Sequence, residues 1–142
     1  MNIWQIRTKI FAATLSAALC GATLYSQTAT PPQSPRYDPK TETTVNGIIQ
    51  EVKEVPGPGR STGTHLVVKA GDELVAVHVG PTWYLQQVKC DLQKDAQVEI
   101  LGSKVVFEGK DVVLARQIKE GGNEWTLRNA QGIPAWSKGQ NR

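Results

Sequence analysis

The stretch Thr64–Leu85, THLVVKAGDELVAVHVGPTWYL, decides how the rest of the chain is read. Gly71-Asp72 sits between two runs rich in β-branched residues, the pattern of a tight hairpin loop. With Ala70 set opposite Glu73, Val68 faces Val75, Leu66 faces Val77 and His65 faces His78. Side chains alternate between the two faces of a strand. Leu66, Val68, Val75, Val77 and Val79 therefore share one apolar face, while His65, Val67, Lys69, Leu74, Ala76 and His78 share a mixed one. A slip of one residue would exchange the two sets, so the register is strongly specified. Gly80-Pro81 ends the second strand, and proline at a helix start leads into two helical turns over Trp83 to Lys89.

Working outward, the N-terminus separates from the fold. Arg7 and Lys9 precede an uncharged, Ala- and Leu-rich run from Ile10 to Leu24, the build of a secretory signal over residues 1–26. The run is shorter than the roughly 20 residues a spanning helix needs. Its flanks favour cleavage over an uncleaved anchor, leaving no membrane span afterwards. The expected location is periplasmic or secreted. Without the leader, 14 of the 16 Lys and Arg remain against 13 Asp and Glu, so near-neutrality gives no support for a polyanionic partner. Cys20 leaves with the leader and Cys90 stands alone, which rules out an internal disulfide and favours a buried thiol packing as a small hydrophobe.

Residues 27–42 carry four prolines and few apolar side chains and read as a disordered Pro/Thr-rich tether, with Tyr37 able to tuck against the domain. The domain itself spans residues 43–137, followed by a frayed tail over 138–142. Thr43 to Val55 reads as a long first strand in which Gly47 marks a bulge or bend. Pro56 to Gly63 is a loop. It lacks both the Lys-Ser/Thr pair and the following helix that a phosphate loop requires. Gln97–Phe107 and Val112–Ile118 form a second hairpin with a bend at Gly102. A sixth strand covers Glu124–Arg128, and Ile133 and Trp136 are expected to press back on the domain. The order of long bent strand, hairpin, short helix, hairpin and extra strand fits an all-β, five- to six-stranded barrel of the OB type, with its helix between the third and fourth strands.

Four strings, VHVGPTWYL (Val77–Leu85), QVEILGSKV (Gln97–Val105), VVLARQIKEGG (Val112–Gly122) and WTLRNAQGIPAW (Trp125–Trp136), occur in that order. They resemble small exported bacterial proteins with V-H-x-G-P-x-W-Y-L, G-D-x-V-x-V-x-G-S and L-R-x-x-x-G-x-P-x-W segments. The set is similar to the magnetosome-associated MamS/MamX domain, over roughly residues 44–136. Lys94-Asp95-Ala96 departs from the Gly-Asp of that pattern. The haem-attaching C-x-x-C-H motifs of MamX-type chains are absent, so no haem chemistry carries over. The resemblance implies an accessory or binding role in the envelope and transfers no catalytic residue.

Three constellations bear on function. His65 and His78, directly opposed, are close enough to share a zinc or copper ion, with Cys90 or Asp91 as a third ligand; two histidines on a mixed strand face are more often plain sheet residues. Ser61, His65 and Asp72 include the residue types of a hydrolytic triad but lack a nucleophile elbow. Trp83, Tyr84, Trp125 and Trp136 are able to stack bases beside Lys69, Lys104 and Arg116, as an OB-type single-stranded nucleic-acid binder would require, yet these residues are scattered and the charge is low. The reading that absorbs most of the sequence is a non-catalytic binding module with no resident cofactor. It contacts an envelope protein or small ligand through Arg60, Trp83, Tyr84, Trp125 and Trp136.

Overall fold

The computed structural model describes residues 34–139. The leader expected over 1–26, the start of the tether (27–33) and the last three residues lie outside that range. Six strands, β1 (Glu42–Pro56), β2 (Thr62–Ala70), β3 (Glu73–Pro81), β4 (Gln97–Phe107), β5 (Lys110–Glu120) and β6 (Asn123–Thr126), and one helix, α1 (Thr82–Gln87), make up the domain. The strands pair in the order β3-β2-β1-β4-β5-β6, and β3 also pairs with β5. That last pairing, parallel through Ala76–Val112, Val77–Val113 and His78–Leu114, closes five strands into a ring. This is the OB-type barrel, with α1 between the third and fourth strands.

Each hairpin is closed by the backbone conformation its loop requires. Gly71 (φ 63°) opens the β2–β3 turn, Glu108 and Gly109 (φ 50° and 75°) form the β4–β5 turn, and Gly121 (φ 58°) opens the β5–β6 turn. Positive φ at the first or both central positions matches the right-handed twist of the flanking strands. The β2–β3 register is the expected one from Ala70–Glu73 to His65–His78, and it then shifts so that Thr64 faces Gly80. Leu66, Val68, Val77 and Val79 are at most 1% exposed, and they meet Ile49, Ile100, Ile118 and Leu127 in one core.

Two local expectations need adjusting. The irregularity in β1 falls between Ile49 and Glu51 rather than at Gly47. Gly47 is instead a point of close crossing, where a Cβ would strike the Lys69 carbonyl and lie 2.7 Å from Val68 Cγ1. The helix begins one residue early and stops at Gln87; Lys89 takes a left-handed conformation (φ 55°), and Cys90 N donates to Leu85 O at 2.9 Å, which ends the helix. Leu85 is buried against the core.

The second half of the tether lies against the barrel. Asp38 N donates to Ser103 Oγ at 3.0 Å, Thr41 Oγ1 lies 2.9 Å from the same oxygen, and Pro39–Thr41 form a 3₁₀ turn leading into β1. Tyr37 packs on Gly132, where a Cβ would collide with its ring, and donates its hydroxyl to Glu42. Glu42 in turn pairs with Arg116 at 3.2 Å. At the other end Trp136 is half-buried on the core, as expected, but Ile133 is 52% exposed. The turn closed by Asn129 N to Ile133 O at 3.0 Å fixes its backbone while leaving its side chain in solvent.

Gly102 tests the closure. It is buried, and a methyl group there would meet the Leu114 carbonyl oxygen and sit 2.8 Å from Val113 Cγ1, so Gly102→Ala must push β4 away from β5. The expected loss is about 2–3 kcal/mol, or roughly 10–15 °C in Tm for a domain of this size. Gly122→Ala, with nothing within 4 Å of its Cβ, is expected to change stability by under about 0.5 kcal/mol. Thermal melts of the two variants check the contrast.

Candidate binding surface

The hairpin loop sets the chemistry of the barrel exterior as well as its core. Because Ala70 and Glu73 close a two-residue turn, they form a hydrogen-bonded pair. Counting back along an antiparallel ladder, His65 and His78 then occupy a non-hydrogen-bonded site, where opposed side chains lie closest. Their rings stack, with centroids 3.9 Å apart and planes 13° from parallel. Phe107 meets His78 edge-on at 5.8 Å. On either side stand Lys53, opposite His65 on β1, and Leu114, opposite His78 on β5. Burial lowers the pKa of His65. It lowers that of His78 to about 4, with the neighbouring charges of His65 and Arg128 adding to the effect. Both rings are therefore neutral at pH 7.

Stacked rings keep their in-plane nitrogen lone pairs parallel, whereas a shared metal ion needs them to converge. Among the described residues no three His, Cys, Asp or Glu side chains come together as a ligand set. Cys90 in particular does not join the pair. It is 6% exposed within the core cluster, and burial, with Glu120 and Asp91 nearby, pushes its thiol up to about 12.

A second group forms where β3 runs into α1. Trp83 and Tyr84 meet edge-on at 5.8 Å, Tyr84 meets Trp136 at 5.5 Å, and the Arg128 guanidinium lies 4.8 Å from the Trp136 ring centre. Trp136 is seated against Gly80, where a Cβ would come within 2.9 Å of the indole. Arg128, 9% exposed, donates to Val79 O at 3.1 Å and to Ala115 O, spanning the line where β3 and β5 close the barrel. Burial lowers its pKa to about 10, so it remains charged. Trp83, 43% exposed, is the solvent-facing end of this ladder. The loop carrying exposed Arg60 returns at Thr62, and Gly63 pairs with Pro81, so the loop stands at the same end of the barrel. Trp125 does not join. It lies opposite Ile118 on β6 and packs on the core.

Sequence reasoning missed Arg128, Ser103 and Leu92. Arg128 sits inside the WTLRNAQGIPAW string, but its role depends on two carbonyls, on β3 and β5, that only the closed barrel brings together. An open cleft of about 920 Å³ runs beside β1, between Gln50–Glu54 and the segment Lys89–Lys94, with Thr64, Thr82 and Leu85 along its floor.

A model of the MamS/MamX magnetosome protein family matches residues 41–125. No curated protein matches the chain. Among solved structures, the dimeric N-terminal domain of PriB from Thermoanaerobacter tencongensis is similar, with 11% identity and a TM-score of 0.47, covering 59% of this chain and 99% of that one. The second single-stranded DNA binding protein of Mycobacterium smegmatis has 20% identity and a TM-score of 0.43, covering 57% of this chain and 86% of its own. The mitochondrial single-stranded DNA binding protein Rim1 of S. cerevisiae has 10% identity and a TM-score of 0.43, covering 63% and 99%.

The neutral imidazole pair gives stability a pH dependence of definite sign. The folded pKa of His78 lies below its unfolded value, so between pH 6.5 and about 4 the unfolded chain binds more protons and stability falls as pH falls. Partly exposed rings are partly screened, so the histidine share of the loss is on the order of 1 kcal/mol. Urea midpoints at pH 7 and pH 4.5 should separate less in a His78→Gln chain than in the wild type.

Proposed function

The chain belongs to the MamS/MamX magnetosome protein family, and from that premise we propose that it is an exported, non-catalytic binding module of the bacterial envelope. Its contact surface is the end of the barrel where Trp83, Tyr84 and Trp136 form a ladder beside the Arg60 loop. The observation that carries this reading is the ladder itself. Its inner members pack on Gly80 and Arg128, while Trp83 meets Tyr84 edge-on with its outer face in solvent. A pre-positioned aromatic side chain with a neighbouring arginine is the composition of an interface anchor, because it buries area with little further loss of conformational entropy. The basic, apolar leader supports export. The occupant is an envelope protein, since a near-neutral chain with scattered cations offers no track for a nucleic-acid backbone.

A photo-reactive amino acid at position 83, irradiated in the native envelope, tests this directly. A discrete crosslinked adduct is expected from position 83 and none from position 74, where Leu74 is exposed at the tip of the β2–β3 hairpin. Arg60→Ala should weaken capture of the crosslinked partner by about tenfold or less, the loss of one hot-spot contact. Adducts from position 74 with none from position 83 contradict the proposal.

A further inference from the structure

The long first strand is shared between two neighbours. Its first half pairs with β4 from Glu42 to Ile48, and its second half pairs with β2 as far as Pro56. Beyond Ile49, which exchanges hydrogen bonds with Asp95 and Ala96, the β4-side edge of β1 has no strand beside it among the described residues. Instead it borders the open cleft of about 920 Å³. The ladder count that places the histidines at a non-hydrogen-bonded site also orients this edge. Glu51 and Lys53, opposite Val67 and His65, turn their backbone groups toward β2. Val52, opposite Leu66, turns its N–H and C=O into the cleft. The Val52 side chain, though on the core face, is 38% exposed.

An uncovered strand edge is a template for another strand, and the sequence here is complementary to itself. Two copies of β1 meeting antiparallel about a two-fold axis through Val52 would place Val52 opposite Val52, exchanging both backbone hydrogen bonds. Glu51 of each copy would then stand opposite Lys53 of the other, at the non-hydrogen-bonded sites where side chains approach most closely. Within one chain these two side chains already lie on one face, 3.2 Å apart and about half exposed, so both are free to re-pair. A shift of the axis to Lys53 would set lysine against lysine and glutamate off register. The charges thus select one alignment.

We infer that β1 is a homodimerisation edge, with a second copy of this chain as its partner and Val52 at the centre of the joined sheet. An isologous contact of this kind is self-completing, because the free edge of each β1 is paired by the other. It uses a different part of the surface from the Trp83 ladder, so the two readings stand or fall separately.

Sedimentation equilibrium of the full chain across about 1–100 μM is the test. The wild type should show a monomer–dimer equilibrium. Lys53→Glu sets four acidic side chains at the joint and should weaken association at least tenfold. The exchange Glu51→Lys with Lys53→Glu restores the pairs and should restore the dimer. Val52→Pro, which removes an N–H that β2 does not use, should abolish dimerisation while circular dichroism shows the barrel retained. A wild type that stays monomeric throughout, or a dimer indifferent to both Lys53→Glu and Val52→Pro, overturns the inference.

Discussion

The structure depends on the two-residue turn at Gly71-Asp72 holding β2 and β3 in one register. A shift by one residue would turn Leu66, Val68, Val77 and Val79 out of the core. At about 1.5–3 kcal/mol for each buried aliphatic side chain, the loss is comparable to the whole stability of a small domain. The same register brings β3 alongside β5 over three parallel pairs, so the constraint that fills the core also closes the ring. Closure then places the imidazoles in a row on the outside, between Lys53 and Leu114.

Around the closed ring, the segments at residues 37–41 and 127–136 form a partial second layer. Ser103 is fully buried on the outer side of β4, and its hydroxyl serves residues 38 and 41 of the N-terminal segment. Tyr37 rests on Gly132, and its hydroxyl meets Glu42 and, through it, Arg116. Arg128 reaches under Trp136 to two carbonyls across the β3–β5 line. The LRNAQGIPAW segment therefore works as a clasp. Leu127 enters the core, Arg128 caps two buried carbonyls, Gly132 makes room for Tyr37, and Trp136 covers Gly80. A surface built on this clasp has Arg128 and Trp136 already placed by packing and hydrogen bonds, and a binding surface gains from anchors ordered in advance.

What could be read from the chain follows from which interactions are local. The hairpin register, the inward valines, the helix after Pro81 and the burial of Cys90 depend on alternation, turn chemistry or composition, all visible within a few residues. From its own neighbours Gly47 reads as a bulge or bend, whereas its smallness serves the crossing of Val68 and Lys69, 21 and 22 residues away in sequence. The tether read as disordered from its prolines, yet the segment from Tyr37 onward finds Ser103 and Gly132 as docking points that no local pattern announces. Opposition of the two histidines was legible; the edge-on packing of Phe107 on His78 was not, since it comes from the separate β4–β5 hairpin. Trp125 was grouped with the other aromatic residues by type, but on β6 it stands opposite the buried Ile118 of β5 and packs on the core instead.

The most direct test of the register is the pattern of short cross-strand contacts between α-protons in nuclear Overhauser spectra of the domain. Non-hydrogen-bonded antiparallel pairs bring the two α-carbons to about 4.5 Å, so strong contacts are expected for His65–His78, Val67–Ala76 and Lys69–Leu74. Strong contacts for Val68–Ala76 or Leu66–His78 instead would place the hairpin one residue out of step and contradict the core, the closure and the imidazole pair together.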